Sequence, residues 1–99
     1  MVFYEVSVTI RADLAETFMA YMRKKHIPEI YATQCFQQIH FDHATENTYR
    51  TCYQAASQED YNRYIEQYAH QMRADFMQHF PDGCEVSRKV WMGIQTWGN

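Results

Sequence analysis

The spacing of apolar residues switches between two and about 3.6 along this 99-residue chain, and the order of those switches restricts the fold more than any motif. Val2, Tyr4, Val6, Val8 and Ile10 alternate with Phe3, Glu5, Ser7 and Thr9, the mark of a strand with one apolar face. Asp13, with Glu16 three positions on, has the form of a capping box. Leu14, Phe18, Tyr21, Met22 and Lys25 then follow at three- and four-residue steps and predict a helix. Pro28 disfavours helical geometry at Ile27, so this helix is expected to end at Lys25 or His26. Pro28 can itself open a short helical turn through Tyr31.

Gln34 to Asp42 reads as a second strand, residues 43–47 as a turn, and Thr48 to Ala55 as a third strand, paired with the second as a hairpin. Ser57 and Asp60 open a long helix. Tyr61, Tyr64, Ile65, Tyr68, Met72, Phe76 and Phe80 hold its period until Pro81-Asp82-Gly83 stops it. Cys84 to Trp97 is the last strand region, where Gly93 marks a bulge or bend. The order β-α-β-β-α-β predicts an α+β, ferredoxin-like domain over residues 1–99. Its four-stranded antiparallel sheet has order 4-1-3-2, with both helices on one face.

The uncovered sheet face is expected to carry aromatics, Phe3 or Tyr4, Phe36 or Phe41, and Trp91 or Trp97. Such a face suits an interface. A homodimer packed through it, closing a dimeric α/β barrel, is the expected assembly. The net charge of −3 argues against a nucleic-acid partner, which calls for a basic patch. The one tight basic cluster, Arg23-Lys24-Lys25, suits a helix C-terminus. No apolar run reaches membrane-spanning length, so no membrane partner is expected. Three cysteines without CxxC spacing fit free thiols in a reducing cytoplasm. No Gly-rich phosphate loop or nucleophile elbow is present, and no cofactor is expected.

Three runs carry a resemblance: Met22 to Thr33 (MRKKHIPEIYAT), Tyr53 to Glu66 (YQAASQEDYNRYIE) and Met72 to Phe76 (MRADF). Together they resemble a family of short bacterial proteins known as domain of unknown function 4286. The resemblance implies a dimeric α/β-barrel fold and no particular activity. A His-x-Pro after the first helix is also similar to ethyl tert-butyl ether degradation-like proteins. Their wider superfamily includes cofactor-free monooxygenases and isomerases.

His26 is the candidate catalytic residue, a proton shuttle at the mouth of a cavity between sheet and helices, with Glu29 to orient it. It can equally cap the end of the first helix and pack against Tyr31. Glu29, Tyr31, His40, Arg50 and Tyr53 are the candidate ligand-binding residues, Arg50 being able to hold a carboxylate by a bidentate pair. His40, Asp42 and His43 lack a fourth ligand, and no metal site is expected. Three functions fit: a homodimeric binder of a small apolar or aromatic molecule, a cofactor-independent enzyme using His26 as acid or base, or a structural interaction domain.

Overall fold

In the computed structural model, which describes residues 1–98, strand β1 (Val2–Ile10) lies inside a four-stranded antiparallel sheet of order β2-β3-β1-β4. The other strands are β2 (Gln38–His43), β3 (Thr48–Ala55) and β4 (Cys84–Met92). The expected strand order and helical layer are therefore found. β1 pairs with β3 from Val2 opposite Ala55 to Thr9 opposite Thr48, and with β4 from Val2 opposite Met92 to Ile10 opposite Cys84. Alternation then sorts the side chains. Val2, Tyr4, Val8, Tyr49, Tyr53 and Ala55 turn to the helices and are buried.

The first helical region departs from expectation. A 3-10 turn (Ala12–Leu14) replaces the capping box, because the Asp13 carboxylate instead accepts from Arg11 Nε at 2.6 Å. Helix α1 (Ala15–Tyr21) passes through a π-helical segment (Met22–His26) directly into α2 (Ile27–Tyr31). The helix does not end before Pro28. Proline lacks a donor and crowds the carbonyl one turn back. Here the preceding turn is already widened, with the Ile27 N–H reaching the Met22 carbonyl five residues back. The continuation seats Ile30, which is fully buried.

β2 begins later than expected. Gln34 takes a positive φ of 62°, and Cys35 and Phe36 are buried in a turn before the strand. The long second helix is two, α3 (Gln58–Gln67) and α4 (Ala69–His79), broken at Tyr68, whose φ is −127°. Ser57 caps α3 as expected, its Oγ accepting from the Asp60 N–H at 3.2 Å, a contact worth about 1 kcal/mol. Gly83, with φ of 80°, turns the chain into β4. β4 ends at Met92 rather than Trp97. At Gly93 a Cβ would stand 3.1 Å from the Phe3 ring and 3.2 Å from the Met1 carbonyl oxygen.

The core is two adjoining clusters. One is rich in tyrosine and centres on Tyr4, Phe36, Tyr53 and Tyr64. The other centres on Phe18, Tyr21, Tyr49, Phe76 and Phe80. The uncovered face is more polar than expected. Phe3 and Trp91 lie on it, paired across β1 and β4, but neither Phe36 nor Phe41 does. Phe36 is buried among tyrosines, and Phe41 packs edge-on to Phe18. Trp91, Met92, Ile94 and Trp97 leave an exposed apolar stretch at the end of the chain. No helix among the described residues is long and apolar enough to cross a membrane.

Candidate functional site

His26 belongs to the π-helical segment, and that local geometry gives it its partner. In a regular α-helix residues five apart point about 140° away from each other. The wider turn instead brings Tyr21 and His26 together, rings stacked at 5.4 Å and Tyr21 Oη 3.2 Å from His26 Nδ1. Phe76 of α4 flanks the imidazole at 6.0 Å. His26 is therefore neither a helix cap nor packed on Tyr31 through this contact. It lines a cleft between sheet and helices with Tyr4, Tyr53, Tyr64, Arg73 and Arg88. The enclosed space is narrow, ≈ 30 Å³, room for a water or two.

The hydrogen bonds fix the tautomer. Tyr21 has a single hydroxyl hydrogen, and it is donated to Asp75 Oδ2 at 2.7 Å. Toward His26 the phenol oxygen is then an acceptor, so Nδ1 carries the imidazole proton. Nε2, on the opposite edge of the ring, has a free lone pair and no hydrogen-bond partner among the described residues. Asp75 is held in turn by Lys25 Nζ at 3.0 Å, and Lys25 also pairs with Glu29 at 3.1 Å.

Electrostatics favours the same state. Burial drives the His26 pKa from 6.5 down to about 4, against the pull of Asp75 and Glu29, so the ring is neutral near pH 7. Burial, then the bond to Asp75, pushes the Tyr21 phenol far above its ordinary value. The Tyr21 and Lys25 hydrogen bonds hold Asp75 below the usual carboxylate range. The result is a neutral imidazole with one nitrogen free to accept a proton, a weaker base than an ordinary histidine because burial disfavours its charged form.

The other candidate residues do not gather there. Tyr53 shares the cleft, its pKa also raised by burial. Arg50 and His40 lie on the opposite sheet face, because the pleat alternates them with Tyr53 and Thr51. Arg50 already pairs with Asp42 at 3.0 Å and Glu5 at 3.7 Å. Glu29 faces solvent with Lys25, and reaches His26 only through its field. Tyr31 is 57% exposed and lines a shallow outer groove between the first helical region and β2. In that groove His43 Nε2 is bonded to the Glu46 carbonyl at 2.6 Å. No cluster with metal-ligand geometry occurs among the described residues. Tyr21, Asp75, Arg73 and Arg88 were not apparent as site residues. Tyr21 reads only as part of a core stripe, and Asp75 is 54 positions away on another helix.

The family described as "Domain of unknown function (DUF4286)" matches residues 1–94. No curated protein matches the sequence. Among solved structures, the chain is similar to a mutant of SnoaB, a cofactor-independent oxygenase from Streptomyces nogalater. The TM-score is 0.75 and the identity 13%, covering 99% of this chain and 97% of that one. It is also similar to a candidate antibiotic biosynthesis monooxygenase from Deinococcus radiodurans, with TM-score 0.72, 10% identity, and coverage of 100% and 98%. A de novo designed protein with ferredoxin fold, LFR1 1, gives TM-score 0.52 and 20% identity over 99% and 93%. At these identities the likeness establishes the fold.

Proposed function

The chain belongs to the family of domain of unknown function DUF4286, and from that premise we propose that its cleft binds a small aromatic molecule and that His26 removes a proton from it. The observation that carries this reading is the chain from Asp75 through Tyr21 to His26, which occupies Nδ1 and leaves Nε2 without a partner on a residue that lines the cleft. In the proposed step a C–H or O–H bond of the ligand breaks and its proton moves to Nε2. The electron pair stays on the ligand as an enolate or phenolate. The imidazolium so formed donates through Nδ1–H to Tyr21, whose hydroxyl bonds Asp75. That linkage places a carboxylate two hydrogen bonds from the new charge, with the Tyr21 hydroxyl between them. The ligand's ring enters by rotation of Met22 and Met72, unbranched side chains that line the cleft and repack readily. A proton abstraction of this kind is also the step a cofactor-independent oxygenase needs before its substrate can react with dioxygen, and SnoaB is described as such an oxygenase.

The probe is 2-indanone, a small neutral ketone with acidic C–H bonds. The protein in D2O should accelerate deuterium incorporation, followed by proton NMR. His26→Ala should lower the accelerated rate by about 10² to 10⁴-fold. Equal exchange in wild type, variant and buffer would overturn the reading.

A homodimer through the uncovered face and the exposed Trp91–Trp97 stretch also fits, since Trp91 and Trp97 are 47% and 80% exposed. Trp91→Glu should then lower the sedimentation coefficient. If wild type and variant both sediment as monomers, the pairing is wrong.

A further inference from the structure

Two arginines stand at the same cleft from different layers. Arg73 comes from α4 and donates to Tyr4 Oη at 3.0 Å. Arg88 comes from β4, in register with Val6, on the row that faces the helices. Both line the space that His26 lines. Four of the protein's other cations are neutralised. Arg11, Lys25, Arg50 and Arg63 each have a carboxylate within 4 Å. Among the described residues Arg73 and Arg88 have none; Arg23, Lys24 and Lys89 have none either, but they do not line the cleft. Their fields cross the cleft: Arg88 opposes protonation of His26, and both arginines work against burial at the Tyr64 phenol. The walls between them are apolar or aromatic, with Val6, Val8, Tyr64 and Phe76.

We infer that the ligand of this cleft is a small aromatic carboxylate, its carboxylate held by Arg73 and Arg88 at the mouth and its ring directed inward toward His26. This rests on the cleft being the ligand site and deepens that reading by naming the ligand class. Guanidinium forks match a carboxylate by paired N–H donors, and both are uncommitted to any other anion. The geometry also orders the ligand. A charge fixed at the mouth leaves only the apolar end to reach Nε2, so the atoms next to the ring are the ones exposed to the base.

The test compares phenylacetate with its uncharged methyl ester, each titrated into the full chain by calorimetry or saturation-transfer NMR. Phenylacetate should bind about tenfold or more tightly than the ester, the worth of one or two charged hydrogen bonds. In the Arg73→Gln, Arg88→Gln double variant the ratio should fall toward one. Arg88→Gln alone removes no hydrogen bond of the fold. It should give an intermediate ratio, which keeps the test readable if the double variant is unstable. Equal affinities, binding of neither compound, or a preference that survives the double variant would overturn the inference. Exchange of neutral 2-indanone reads the base separately. A carboxylate preference without that exchange removes the base and keeps the anion site; the reverse removes the anion site and keeps the base.

Discussion

The two halves of the core are built from different aromatics. Around Phe18 the rings are mostly hydrocarbon: Phe41, Phe76 and Phe80 meet it edge-on at 5.8 to 6.2 Å, and Tyr49 lies at 5.2 Å. Around Tyr4 they are nearly all phenols, with Tyr53, Tyr61 and Tyr64 at 5.5 to 6.1 Å. A phenylalanine ring asks nothing of its surroundings but contact. A buried tyrosine brings a hydroxyl that must find a partner, so a half-core of tyrosines keeps polar tips inside. The cleft lies where the halves meet, with Tyr4, Tyr53 and Tyr64 on one side and Met22 and Phe76 on the other. One half supplies packing. The seam supplies chemistry.

The largest expected effect falls on the hydrocarbon half. Phe18 is fully buried, and Phe18→Ala should cost about 3 to 5 kcal/mol in chemical denaturation. A loss under 1 kcal/mol would mean that this half does not carry the fold. The next effect belongs to the seam. Between pH 6.5 and 4 the unfolded chain takes up a proton on residue 26 that the folded chain refuses. Stability should therefore be full above pH 6.5 and fall by up to about 3 kcal/mol as the pH drops to 4. Asp75, Glu29, Lys25 and Arg88 all act on this group, and the first two limit the fall. The fall should flatten in His26→Gln; the same slope in both proteins would place the titration elsewhere. The smallest effect belongs to the tyrosine half. Tyr53→Phe keeps the ring and should change stability by about 1 kcal/mol or less. A loss like that of Phe18→Ala would make the hydroxyl, not the ring, the structural element there.

The strands β1 and β3 were legible because their alternation is undisturbed, and the strand order followed from the sequence of elements. Ser57 was legible as a cap because its role is local. The site was legible only in part. His26 stood out by residue type, but its partners did not. Tyr21 meets it through a turn that a 3.6-residue period excludes, and Asp75 through the packing of two helices. Pro28 was misjudged for the same reason: its usual effect assumes a regular turn before it, and the turn is widened. The face of the second strand region could not be read, since Phe36 and Phe41 enter the core on either side of a break at Gln37 that alternation does not reveal. Arg50 and Tyr53 looked like partners in sequence, yet the sheet itself lies between them.

The π-helical segment has a bearing on chain length. It is one residue more than a regular helix needs between Tyr21 and Ile27. Removing one residue between Tyr21 and Ile27 would restore regular turns and leave Ile27 and Ile30 on the side of the helix they now occupy, because the widened turn absorbs its extra residue locally. Ile30, now fully enclosed, would keep its seat. The surplus residue thus belongs to the site more than to the fold. A descendant of this protein that lost His26 itself would keep this end of its core and give up only the imidazole stacked on Tyr21.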